Sequence, residues 1–168
     1  MTKSLAASRQ TPINHDYGTC DRTCAELRIY PSALRHEDIT LYLGIQPTDC
    51  QNQGDERRNS EGRVRVAKCT MWSLSSESSV TSKDVRAHLD WLLERVSNCA
   101  DAIKQLQQAH EIKMSMSCPW WSRGGHGGPT LWPEQMRRLA DLNLECSFDV
   151  QFYPDDDSES DGQGSATF

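Results

Sequence analysis

Extended and helical segments alternate along this chain in the order β-α-β-α-β-α-β, which predicts an α/β domain: an α+β sandwich with four or five strands in one sheet and helices packed on it. Three observations carry that prediction. Residues 23–30 (TCAELRIY) alternate apolar and polar side chains with the period of a half-buried strand. Val85, Leu89, Leu92, Leu93 and Val96 recur at the three- and four-residue spacing of a helix face. Leu144, Cys146, Phe148, Val150 and Phe152 alternate again as a closing strand.

Taken in order, Pro31 ends the first strand, because proline has no N–H to give a ladder. In SALRHEDITLYLGIQPT, Ile39, Tyr42 and Leu43 fall at helical spacing. Glu37 and Asp38 suit the first turn, and Gly44 can close the helix in a left-handed conformation. Residues 49–62 show no apolar periodicity and read as a mobile surface loop. Val64 and Val66, then Thr70 to Leu74, resume extended character as one interrupted strand or a hairpin. The long helical stripe follows a cap at Thr81 or Ser82 and continues through Ile103 and Leu106. Ser97 and Asn98 in its middle make it two helices or one kinked helix. Ile112, Met114, Met116 and Cys118 then alternate as a strand that Pro119 stops, and Pro133 opens a helix carrying Met136, Leu139, Ala140 and Leu142.

A length of 168 residues fits one domain better than two. With 36% hydrophobic and 25% charged residues, the chain can build one core while leaving much of itself in loops or tails. Residues 1–20 read as a flexible N-terminal segment, 21–153 as a single α/β domain, and 154–168 (PDDDSESDGQGSATF) as a disordered acidic tail. The tail has too few apolar groups to offset the entropy of ordering it. No run approaches the roughly 20 apolar residues that cross a bilayer, and the opening residues lack the apolar stretch of a secretory signal. A cytoplasmic protein away from membranes is therefore expected. Seven scattered cysteines fit reduced thiols. The net charge of −6 argues against nucleic acid as a partner, because affinity for phosphate rests on clustered Lys and Arg.

Several motifs line up in order with one family: GIQPTDCQNQGDE after the first helix, MWSLSS in the central strand, VRAHLDWLLERV in the long helix, and LWPEQMRRLADLNLECSFDVQFY at the end. Together they resemble the bacterial domain-of-unknown-function family 4279 over about Cys24 to Tyr153. The resemblance implies a compact α/β protein with no assigned catalytic activity and no catalytic residues to carry over. It also implies an occasional place beside polymorphic toxin genes, which suits an immunity role. The acidic tail and the SCPWWSRGGHGG stretch depart from the family pattern, and partner specificity is expected there.

The loop from Cys118 to Trp132 sets Trp120, Trp121, Arg123, His126 and Trp132 among glycines. These are the candidate partner-binding residues, since indole and guanidinium groups anchor protein interfaces. Burial of the tryptophans over the sheet edge is the competing reading. GGHGG lacks the spacing and lysine of a phosphate loop. Cys20 and Cys24 with His15 or His36 offer no second close pair for zinc, so no metal and no cofactor are expected. Cys118 near His126 is the one arrangement of a thiol nucleophile and base, though the alternation places that sulfur in the core. Glu37 with Asp38, and Asp55 with Glu56, read as solvated charge, and His88 as a structural histidine. No catalytic residue is assigned. The functional expectation is a non-enzymatic protein-binding module of a bacterial cell, of the kind an immunity-type inhibitor of a toxin would be. A small-ligand or nucleotide-sensing domain is the alternative and a cysteine-dependent hydrolase the third reading.

Overall fold

The computed structural model describes residues 11–109, 111–122, 124 and 126–153. The first predicted strand forms as two pieces, β1 (Arg22–Thr23) and β2 (Glu26–Pro31), separated at Cys24 and Ala25. Its alternation is observed, with Ala25, Leu27 and Ile29 fully buried. Helix α1 (His36–Leu43) ends at Gly44 with φ 66°, the left-handed cap that glycine adopts without steric cost. At its start Asp38 Oδ2 accepts the Arg35 N–H at 3.0 Å. Of the three apolar residues read onto its face, Ile39 and Leu43 are buried and Tyr42 is exposed.

The stretch read as a structureless loop contains two strands. Strand β3 (Asp49–Gln51) adds to the main sheet, and β4 (Glu56–Arg58) pairs with β5 (Val64–Val66) in a separate hairpin. Periodicity is absent from β4 because its residues are all exposed, so nothing selects apolar side chains for either face. Val64 and Val66 therefore belong to this outlying hairpin, while β6 (Met71–Ser75) lies inside the main sheet.

The long helical stripe resolves into α2 (Val85–Ser97) and α3 (Ala100–Ala109). The cap of α2 is Asp84 rather than Thr81 or Ser82, its carboxylate accepting the Arg86 N–H at 3.1 Å. Strand β7 (Ile112–Ser122) runs on past Pro119. Pro119 is tolerated because N and C=O of one residue point to the same side of a strand. Its carbonyl faces the interruption between β1 and β2, accepting Cys24 N–H at 3.4 Å and Thr23 Oγ1–H at 2.8 Å. The missing donor thus falls at a gap in the neighbouring strand. Helix α4 (Pro133–Asp141) begins at Pro133, as predicted, and β8 (Glu145–Phe152) closes the chain.

Among the described residues the domain is α+β, with four helices and a mostly antiparallel six-stranded sheet. Across the sheet the strands run β8, β7, then β1 and β2 side by side with β7, then β6 and β3; among the described strands only β8 with β7 is parallel. The simple predicted order thus gains β3 and the β4–β5 hairpin between α1 and β6. Leu27, Ile29, Trp72, Leu74, Met116 and Cys118 form one face of the sheet and pack with Leu89, Leu92, Val96, Ile103, Leu106 and Leu139 of the helices. Trp72 ties β6 to α1 by donating Nε1–H to Thr40 Oγ1 at 3.0 Å.

Residues 11–20, read as part of a flexible segment, are bonded into this domain. Arg86 donates to the Thr11 carbonyl at 3.0 Å and the Pro12 carbonyl at 2.8 Å, and Asn14 N–H donates to Asp84 at 2.9 Å. The acidic tail 154–168 lies outside the described residues.

Candidate functional site

The Trp-rich segment does not gather into one cluster, because it is largely strand and a strand sends successive side chains to opposite faces. Trp120 lies on the helix side with Met116 and Cys118, fully buried and edge-to-face with Tyr17 at a centroid distance of 6.3 Å. Trp121 points to the other face and is half-buried. Its Nε1–H donates to Gln151 Oε1 at 2.9 Å, and the Arg22 guanidinium lies 4.0 Å from its ring centroid. Trp132 is buried, donates Nε1–H to the Thr11 carbonyl at 3.1 Å, and sits under the Arg86 guanidinium at 5.0 Å. His126 is exposed, with Nδ1 2.6 Å from the Gly124 carbonyl oxygen. Arg123 lies outside the described residues. Of the five candidates, Trp121 and His126 are therefore at the surface, and Trp120 and Trp132 have structural surroundings.

The nucleophile readings meet buried groups. Cys118 is fully buried with its Sγ 3.9 Å from that of Cys146, and that thiol contact together with burial pushes its pKa up, away from a reactive thiolate. No described hydrogen bond joins it to His126. Among the described residues no three His, Cys, Asp or Glu side chains gather as metal ligands. Cys20 is buried, and burial raises its thiol to about 11.

One serine–histidine pair escaped the sequence reading. His88 Nε2 lies 2.7 Å from the Ser82 carbonyl, which can only accept, so Nε2 carries the proton. Nδ1 then accepts the Ser76 hydroxyl at 2.8 Å, and Ser76 Oγ accepts the Ala25 N–H at 2.9 Å. This resembles a nucleophile with its base, yet both residues are buried and no substrate can reach them. The pair is structural. Burial, only partly opposed by the Ser82 carbonyl and Asp84, holds His88 below the ordinary imidazole value of 6.5. As pH falls below 6.5 the unfolded chain takes a proton that the native state refuses, so stability is lost with acid. The difference between wild type and His88→Asn in urea denaturation should fall by up to about 1.4 kcal/mol per pH unit in that window. A constant difference from neutral pH to the native pKa would refute the assignment.

The surface left open is the far edge and the uncovered face of the sheet. On the uncovered face, a groove of about 680 Å³ is lined by residues including Glu26, Arg28, Ser75, Pro119, Trp121 and Gln151. Within it, Arg28 Nη2 is 2.6 Å from Glu26, which also accepts the Ser73 hydroxyl. Along the edge, β8 presents Phe148 at 36%, Val150 at 39% and Phe152 at 53% exposure, and Tyr153 just past its end, on the Gln151 side, is also exposed. Leu144 and Cys146 begin the same alternation on covered ground, and the stripe then runs out from under the helices. Single exposed apolar residues are ordinary, but a contiguous stripe on an edge strand marks a contact surface. The alternation itself was legible in the sequence, whereas its lack of cover was not.

No curated protein and no solved structure matches the chain. No described helix is long and apolar enough to cross a membrane. A family model described as "Domain of unknown function (DUF4279)" matches residues 20–153, which span the sheet, the helices and the exposed strand, and the chain belongs to that family.

Proposed function

We propose that the protein is a non-enzymatic protein-binding module of the bacterial cytoplasm whose contact surface is the β8 edge, with Trp121 beside it on Gln151. The observation that supports this reading is the stripe of Phe148, Val150 and Phe152, exposed along one strand that, among the described residues, pairs on one side. The negative charge fits a basic protein partner and would speed its association. An immunity-type inhibitor that covers a basic toxin is one such module. Val150→Lys should fold with an unchanged circular dichroism spectrum and lose a stoichiometric partner that the tagged wild-type chain retains from its native cell. The purified partner should bind the wild type at least about tenfold more tightly in calorimetry. Equal binding by the folded variant would remove β8 from the interface and the reading with it. The groove on the open sheet face favours a second reading, a small polar ligand, whose signature is ligand-dependent thermal stabilisation.

A further inference from the structure

Resting on that reading, we infer that β8 receives its partner as an added β-strand, a segment alternating apolar and basic side chains. The backbone supports this through its parity. Tyr153 N–H donates to the Ser122 carbonyl of β7 at 3.0 Å, so the odd-numbered residues of β8 turn their N–H and C=O toward β7. The even-numbered residues, Cys146, Phe148, Val150 and Phe152, turn theirs away, and among the described residues no strand pairs with that side. The outer edge is thus a row of unpaired donors and acceptors over eight residues.

Native sheets usually blunt such an edge with lysine, proline or a short strand. ECSFDVQF contains no Lys, Pro or Gly, so the edge is left able to pair. The side chains define what can pair. Phe148, Val150 and Phe152 share one face, while Glu145 and Asp149 share the other. Just beyond them the sequence PDDDSESD adds five more carboxylates. An incoming strand must therefore bring apolar groups to one face and cations to the other, a recognition mode in which backbone bonds give affinity and alternate side chains give specificity. A second copy fits less well, because its own β8 carries Glu145 and Asp149 and no Lys or Arg to meet the acidic face.

The test uses the full chain and a short synthetic peptide of alternating valine and lysine. Two control peptides are needed: one with the same composition in blocks and one alternating valine with glutamate. Amide hydrogen exchange followed by NMR should show that the alternating basic peptide protects Cys146, Phe148, Val150 and Phe152 and leaves the odd-numbered amides unchanged. Val150→Pro removes one outward N–H without touching the β7 ladder, so the variant should keep its fold and bind about tenfold more weakly. Equal binding of the blocked peptide, full binding by folded Val150→Pro, or no binding of the alternating peptide overturns strand addition. In that event, loss of the native partner in Val150→Lys alone would still leave β8 as a side-chain contact surface. A dimer of the free chain, broken by Val150→Pro in sedimentation, would replace the basic partner by a second copy and overturn the assignment.

Discussion

Asp84→Ala should cost about 3–5 kcal/mol of stability and lower the thermal midpoint by roughly 10 °C or more, a larger loss than any surface substitution in this domain. The side chains of Asp84 and Arg86 are each 3% exposed, and the carboxylate has three tasks. It caps α2 through the Arg86 N–H, it receives Asn14 N–H at 2.9 Å, and it holds the Arg86 guanidinium, whose Nε lies 2.9 Å from Oδ1. Removing it leaves a buried cation facing only the Thr11 and Pro12 carbonyls, the Thr11 hydroxyl and the Trp132 ring. That orphaned charge, rather than the lost cap, dominates the expected cost. Asp84→Ala combined with Arg86→Met should therefore be less damaging than the sum of the two single changes, because the double variant buries no unpaired charge. Chemical denaturation of the four proteins measures the coupling. Additive losses, or a cost for Asp84→Ala within about 1 kcal/mol, would show that the pair does not hold the N-terminal segment to α2.

Burial pulls the Asp84 carboxyl upward, and the bonds from Arg86 and the Asn14 N–H outweigh it, leaving the group below its ordinary value of 3.8. Its contribution is accordingly present above about pH 4 and is lost as pH falls through the native value. His88 fails earlier, starting below 6.5. Acid thus lowers the stability of the whole fold first through His88 and then through Asp84.

Elements with one buried face were legible in the sequence because burial imprints a period. Ala25, Leu27 and Ile29 gave their strand, and Gly44 and Pro133 marked helix ends for reasons of backbone conformation alone. Strands β3 and β4 left no such imprint, being short and polar, and Val64 and Val66 showed β5 as extended without showing that it lies outside the main sheet. The anchor at Arg86 was invisible for a different reason: its partners lie 75 and 74 positions earlier, at Thr11 and Pro12, and no local pattern encodes that meeting. For β8 the alternation was clear, but whether a helix covers its apolar side depends on where the strand falls in the sheet. An edge position turned a core pattern into a candidate interface.

Trp120→Ala should cost about 3–5 kcal/mol, whereas Trp121→Ala, one residue further on, should cost about 1 kcal/mol and leave a folded chain. Trp120 is fully buried against Tyr17, so truncation opens a cavity beneath the N-terminal segment. Trp121 gives up only the stacked Arg22 guanidinium and one hydrogen bond to Gln151. The two look equivalent in the sequence as long as Pro119 is taken to end the strand. Once β7 continues through Pro119, the alternation that buries Met116 and Cys118 also buries Trp120 and turns Trp121 outward, toward the open groove. Paired urea titrations distinguish the two side chains. Similar losses in both variants would mean that β7 does not keep strand alternation beyond Pro119. A folded Trp121→Ala protein that has lost its partner would identify this indole, and not its buried neighbour, as the anchor supplied by the Trp-rich segment.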